Sequence, residues 1–475
     1  MKRFRRIALW IGAPLSLLLL AGGALVFAFF HQFYPDAPVA NFPPAQDAAT
    51  AQRQDFEYFR NYLELNRSYT AEARQQAAQL LADYQAKAGT FSPAQLDLAI
   101  ARMVALSDNG HSRVHPGPLS RHHDRIPCRL YHFSDGYYVV RARPACASLL
   151  GAKVTALDGH PIDETANRMY QYFSGPRSHY DQFAAVFFLE SPELLQAAGL
   201  AAAADRLTLH VVLRDGSEQD AVVIADPADA DAPRTYSDSY LSPQRIEKEP
   251  ADWASLLAAD TKLPVFLRDY ATPFHAEYWA DKGVYFAQFR SNEDEPGYPI
   301  GAFVSHVKQE IAADRPRFVV LDLRFDQGGN CLTTASLMKQ FTGLADSIEH
   351  VYVLTSGWTF SAGDVSLALL KEHGGSKVTV VGEPVGDRVR LWAEGGSLVL
   401  PNSKLSIGFA TGLHDYAQSC QGQPGCFWIL YFYPMHVASL EPDVPVAYSF
   451  DDYVKLRDPL LDRALELAQA KPIPG

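Results

Sequence analysis

Residues Val353–Asp364 read VLTSGWTFSAGD, and the fold turns on how this stretch is parsed. The apolar run Val351–Leu354 predicts a buried strand. A Thr-Ser-Gly-Trp-Thr turn follows. From Ser361 a helical pattern runs through Ala362, Val365, Leu367, Leu369 and Leu370. The Ser361 hydroxyl then lies at a helix N-terminus, where free N–H groups and the helix dipole favour developing negative charge. An acyl-transfer serine needs such a field. Serine is also a common N-cap, so the position alone does not separate nucleophile from cap.

The same alternation extends outward on both sides. Gly283–Phe289, Phe318–Leu323 and Lys377–Val381 read as strands, and Ile300–Ala313, Leu332–Phe341 and Ser361–His373 as helices. Strand–helix alternation predicts an α/β layer over residues 263–475. Upstream, residues 48–120 are mostly helical. Phe56, Tyr58, Phe59, Tyr62 and Leu63 form one apolar set, and Ala71–Ala86 and Pro93–Leu106 form two more. Ser92-Pro93 starts the last of these as cap and N1 proline. The helical region ends in the polar turn Asp108-Asn109-Gly110-His111-Ser112. Residues 121–228 change to short strands (Arg129–Phe133, Gly136–Arg143, Lys153–Leu157, Leu207–Leu213) separated by Asp-Gly turns, with a helical stretch at Pro192–Ala204. Residues 34–47 and 229–262 read as linkers rich in Pro, Ala and Asp.

The chain has 475 residues, 48% apolar and 12% aromatic, enough for large cores. Its net charge of −12 argues against nucleic acid as a partner. Lys2, Arg3, Arg5 and Arg6 precede an uncharged run of 24 residues, Ile7–Phe30. A bilayer needs roughly 20 such residues. Residues 1–33 therefore read as an uncleaved signal-anchor, with the bulk of the chain exported to a periplasmic or extracytoplasmic side. The alternative is a cleaved signal peptide. Five cysteines suit an oxidising compartment. Cys420 and Cys426 fit a loop clip, Cys128 and Cys146 flank a strand pair, and Cys331 is left over as a small buried residue. His122-His123 reads as an exposed pair and a poor metal site.

Further residues point to chemistry beside Ser361. Asp322-Leu-Arg-Phe-Asp-Gln-Gly328-Gly329-Asn330 runs a strand into paired glycines, whose unshielded amides can approach a substrate oxygen. The amides of Gly328 or Gly329, with that of Ala362, are candidate oxyanion donors. His111 is a candidate base for a serine hydroxyl. Gly382-Glu-Pro-Val-Gly-Asp-Arg388 is a tight strand exit that could line the site.

These elements, in this order, resemble the tail-specific (C-terminal processing) serine peptidases and their tricorn-core-like branch. The motifs are DNGHS at 108–112, DLRFDQGG at 322–329, TFSAGD at 359–364, GEPVGD at 382–387, LPN at 400–402, EPDVPV at 441–446 and RDPLLDRALEL at 457–467. The resemblance implies a crotonase-like, ββα-type catalytic core with an N-terminal helical subdomain and an inserted PDZ-like β-rich module, to which the apolar run adds an N-terminal transmembrane helix. It implies Ser361 as nucleophile. One branch of the family uses a lysine after the Gly-Glu-Pro turn, where this chain has Asp387 and Arg388. Arginine stays protonated and makes a poor base. Lys371 and Lys377 lie too far along the chain to replace it. The tricorn-like branch uses the His of the early turn, which is His111 here. Its serine before the histidine and its glutamate upstream of the closing Pro-Asp fall near Gly110 and His436. The group orienting His111 is thus open among Asp108, Glu383 and Asp415. Asp326 stands for the usual Asn and Asp364 for the usual Glu.

The expected function is a membrane-anchored, exported serine endopeptidase that cuts polypeptide through an acyl-enzyme, without metal or cofactor. The alternative is a weak or inactive binding protein on the same scaffold. An α/β-hydrolase esterase is disfavoured, because Ser361 does not sit in Gly-x-Ser-x-Gly.

Overall fold

The computed structural model describes residues 19–115, 119, 121–231, 237–268, 270, 272–341 and 348–470. The first part of the expected anchor, residues 1–18, lies outside these. Residues 19–33 are helical, and no helix among the described residues is long and apolar enough to cross a membrane.

The C-terminal part of the chain, from residue 274 on, is built on a six-stranded sheet. Its spatial order is Val444–Pro445, Val378–Gly382, His350–Thr355, Phe318–Asp322, Val284–Phe289 and Phe274–Trp279. The first five strands are parallel, and only Phe274–Trp279 runs antiparallel to its neighbour. The strands are apolar throughout because both faces are covered. Val319, Leu321, Val351 and Val353 pack into one core with Val304 and Val307 of helix Ile300–Asp314 and Leu367 and Leu370 of helix Ala362–Gly374. The alternate residues Phe318, Val320, Tyr352 and Leu354 face a second core, closed by Leu460, Leu461 and Ala464 of helix Pro459–Gln469. Parallel register aligns Asp322 with Leu354, and Thr355 with Gly382. The three motif turns therefore leave the sheet side by side at its carboxyl edge. Open α/β sheets bind ligands at that edge.

One buried ion cluster ties this edge to the C-terminal helix. Arg324 donates through Nε to Asp322 at 3.0 Å and through both Nη atoms to Asp458 at 2.8 and 3.0 Å. Its guanidinium lies 4.2 Å from the Phe266 ring centroid. Asp458 also caps helix Pro459–Gln469 by accepting from the Leu461 amide.

The N-terminal helices form where the sequence places them. Ala48–Leu65 is capped by Asp47, Ala71–Ala86 by Thr70, and Pro93–Ala105 by a Ser92–Gln95 capping box. The inserted region holds an antiparallel sheet ordered Cys128–Phe133, Gly136–Ala142, Lys153–Leu157, Arg206–Val212, Glu218–Ile224. The helix expected at Pro192–Ala204 stops at Ala197. The fold is thus mixed α/β. Both expected linkers are packed rather than free. Tyr58 donates to Pro38 O, and Gln54 donates to Pro43 O at 2.9 Å. Between 229 and 262, Tyr240 and Leu241 are fully buried and Glu249 pairs with Arg141 at 2.7 Å. Aromatic and aliphatic residues scattered among Asp and Pro explain why these straps read as linkers. Disulfides join Cys128 to Cys146 and Cys420 to Cys426, and Cys331 is free. His123 is buried, not exposed: it sits between Asp97 at 2.9 Å and Glu193 at 3.0 Å. The two carboxylates outweigh its burial and push its pKa up to about 9.

Asp458→Ala would strand Arg324 in the core with half of its charge unpaired. Denaturant unfolding is expected to show a loss of about 3–5 kcal/mol. A loss near zero would mean that the cluster does not lock the C-terminal helix.

Candidate active site

Ser361 caps helix Ala362–Gly374 with φ 57° and ψ −116°. Non-glycine residues rarely adopt positive φ, and such strain persists only when the surroundings over-determine it. Here they do. Thr359 donates its hydroxyl to Leu323 O at 2.8 Å, and Ser356 donates its hydroxyl to Arg324 O at 2.6 Å. The Phe360 amide donates to Asp326 O at 2.9 Å, and the Gly386 amide donates to Thr359 O at 2.7 Å. The serine turn is stitched to the motif turns on either side. Two glycines make the fit possible. A Cβ on Gly328, which has φ 100°, would lie 2.6 Å from Ser361 Cβ, and one on Gly363 would lie 2.7 Å from Asp326 O.

The oxyanion candidates divide. The Gly328 amide is already committed to Asp326 Oδ1 at 3.0 Å, so Gly328 shapes the turn rather than facing substrate. The Gly329 and Ala362 amides enter no hydrogen bond among the described residues. Asn292 fixes the same turn: its amide nitrogen donates to Gly328 O at 2.8 Å, and its side chain, oriented as a donor, reaches both Asp326 oxygens at 3.0 and 2.8 Å.

His111 is nearly buried. Its ring stacks on Phe360, the residue before the serine, with centroids 4.3 Å apart. Its Nδ1 lies 3.4 Å from Asp387 Oδ2, and neither ring nitrogen makes a hydrogen bond, to Asp387 or to Ser361 Oγ. Asn109 holds the turn in place, donating from Nδ2 to Trp392 O and accepting at Oδ1 from Trp392 N, both at 2.9 Å. Gly110 is glycine because a Cβ there would lie 2.7 Å from the Phe360 ring and 3.1 Å from Asp387 Oδ2.

None of the three carboxylates considered from sequence pairs with His111. Asp108 is held by Arg388 through its carbonyl and its carboxylate, each at 2.9 Å. Glu383 accepts from the Tyr448 amide at 3.2 Å. Asp415 pairs with Arg390 and accepts from the Ala417 and Gln418 amides. The partner is Asp387, in the GEPVGD turn. Sequence reasoning saw this residue only as a missing lysine's neighbour. The lysines are elsewhere, with Lys371 at 3.8 Å from Asp443.

Sequence reading also passed over His179, whose ring stacks on the opposite side of the contact residue Phe360 at 4.3 Å. Its Nδ1 lies 2.9 Å from Gly357 O and its Nε2 2.7 Å from Arg113. Burial and the Arg113 charge hold it well below the usual histidine range, so it is neutral and structural.

Three acids crowd behind the serine. Burial pushes the Asp326 carboxyl up, against the Gly328 amide and the Asn292 side chain that donate to it. Burial and the nearby Asp387 and Asp326 charges hold Asp364 well above the usual carboxylate range. Beside the turn, a cavity of about 350 Å3 lies between the inserted sheet and the core, lined by His132, Ser134, Asp181, Gly357 and Glu383. Among the described residues no cluster of His, Cys, Asp or Glu is placed to hold a metal ion.

No family model and no curated relative matches the chain. Solved structures do. A point mutant of CPAF aligns with TM-score 0.58 and 13% identity over 90% of this chain and 99% of its own. Mature CPAF complexed with lactacystin aligns at 0.54 and 12%, covering 89% and 98%. The photosystem II D1 C-terminal processing protease is a more distant match, at 0.37 and 11%, covering 85% and 94%. The two CPAF alignments show a shared fold.

A raised carboxyl pKa costs stability as pH climbs from about 4 toward 8, because the unfolded chain ionises first. Asp326→Asn keeps the acceptor for Gly328 N–H and removes the charge. Urea unfolding at pH 5 and pH 8 is expected to show the variant gaining on the parent by on the order of 1–3 kcal/mol across that interval. A constant gap would contradict the burial of a neutral acid here.

Proposed function

We propose that the chain is a serine peptidase of the tail-specific family, with its catalytic core at the carboxyl edge of a crotonase-like layer. The observation that carries this reading is the strained Ser361, packed against the Gly328–Gly329 turn at the head of its helix, with the His111–Asp387 pair stacked on the adjacent Phe360. Ser361 Oγ attacks the scissile carbonyl as His111 Nε2 takes its proton. The C–O bond forms, and the carbonyl electrons move onto oxygen, held by the amides of Gly329 and Ala362. Collapse breaks the C–N bond, and His111 returns the proton to the leaving amine. Water, deprotonated by the same imidazole, then releases the acyl group. Asp387, 3.4 Å from Nδ1, closes on Nδ1–H when substrate is bound and so fixes the tautomer that leaves Nε2 free as base. This takes the orienting role away from Asp108, Glu383 and Asp415.

The inserted sheet is read as a PDZ-like module that presents polypeptide to the cleft. The uncharged run Ile7–Phe30 is read as a membrane anchor, with residues 31–475 exported. The two disulfides support an oxidising compartment. The second reading, a binding protein without catalysis, draws on the absence of a Ser361–His111 hydrogen bond. Catalytic hydrogen bonds often tighten only when substrate is bound, so that absence does not favour it.

Hydrolysis of an unstructured protein such as casein separates the two readings. Ser361→Ala and His111→Ala are each expected to lose about 10^4-fold or more in kcat, and Asp387→Asn about 10^2–10^4-fold with KM little changed. Asp108→Asn and Asp415→Asn are expected to stay within a few-fold of the parent. Equal activity in Ser361→Ala would remove the peptidase reading, and an unaffected Asp387→Asn would remove Asp387 from it.

A further inference from the structure

The helix at residues 19–33 is apolar, and most of it is exposed among the described residues. Phe27 and Phe30 are 72% and 56% exposed. Its last turn is different. Phe33 is fully buried, and its carbonyl accepts from the Gly395 amide at 2.9 Å and the Thr411 hydroxyl at 2.6 Å. Phe29 meets Trp428 at 5.1 Å, and Phe33 meets Phe427 at 5.1 Å. The helix is therefore fixed to the body at one end and is not a loose tether.

The segment it rests on is unusual. Residues 426–435, CFWILYFYPM, carry no charge. The Cys420–Cys426 disulfide closes the preceding loop, and the Gly422 amide donates to the Tyr431 hydroxyl at 3.0 Å. Gln421 donates to Leu430 O at 2.7 Å. Ile429 and Leu430 turn into the core, while Tyr431 and Phe432 turn out, 51% and 75% exposed. A pinned loop thus presents two large aromatics to its surroundings, next to the exit of an uncovered apolar helix. Trp and Tyr at that level match the aromatic belt where a protein meets lipid head groups.

We propose that Trp428–Phe432 is a membrane-seating surface: Tyr431 and Phe432 enter the head-group interface of the bilayer in which residues 7–30 are anchored. The proposal rests on the anchor reading above. The consequence is a catalytic body held down on the membrane at a fixed orientation, with substrates approaching from the side away from residues 428–432.

The test uses the full chain in nanodiscs of phosphatidylcholine and phosphatidylglycerol, doped with a phosphatidylcholine bearing a diazirine near its glycerol. Irradiation and peptide mapping are expected to find lipid adducts both within 7–30 and on 428–432. The double variant Tyr431→Ser, Phe432→Ser is expected to lose the second set, keep the first and retain casein hydrolysis. Adducts within 7–30 alone would overturn the seating and leave the anchor standing. Adducts on 428–432 alone would support the seating and remove the anchor. Adducts at neither site would remove both. Capture of 428–432 by a second copy of the chain in place of lipid would make the surface a dimer interface and overturn the proposal.

Discussion

The site depends on one backbone torsion pair. Ser361 sits at φ 57° and ψ −116°, a conformation that costs an L residue about 1–3 kcal/mol. A relaxed serine would continue the preceding turn, and its hydroxyl would leave the helix end. The restraint comes from neighbours in space: Leu323 O, Arg324 O and Asp326 O on one side, and the Gly386 amide on the other. Parallel register makes this possible by ending three adjacent strands at one level. The Arg324–Asp458 cluster then ties that level to the last helix. Strain at the serine is thus balanced by the packing of the whole parallel-sheet half.

Charge is arranged around the same point. Arg388, at the end of the Gly382–Arg388 turn, clamps Asp108 in the histidine turn. It serves geometry, since a guanidinium does not give up its proton. Asp387, one residue earlier, faces the imidazole. Asp326 and Asp364 are buried and favour the neutral form, so three negative charges do not gather behind Ser361. Phe360 links the two histidines by stacking on both, which couples the inserted region through His179 to the turn that carries the serine.

Much of this was legible in the sequence, and the limit has a physical form. Strands such as Phe318–Asp322 and helices such as Ala362–Gly374 announce themselves by apolar period and caps, which are local. Ser361, His111 and the Gly-Gly turn stand in motifs whose turn chemistry is also local. The Cys420–Cys426 clip is short enough to read directly. Asp387 was not legible as the partner of His111, because that contact joins turns from opposite parts of the chain. The commitment of Gly328 N–H to Asp326 was hidden for a different reason: glycine pairs look alike whether they face substrate or themselves. The packed straps at 34–47 and 229–262 were misread because a few buried aromatics among prolines carry no period.

The central claim is that Ser361 is a nucleophile activated by His111. It is tested most directly by mass spectrometry of the full chain after reaction with a serine-directed phosphonate. The account predicts a single adduct on Ser361, absent in Ser361→Ala and strongly slowed in His111→Ala. A folded chain that takes no adduct, or takes it equally in the His111 variant, would contradict it.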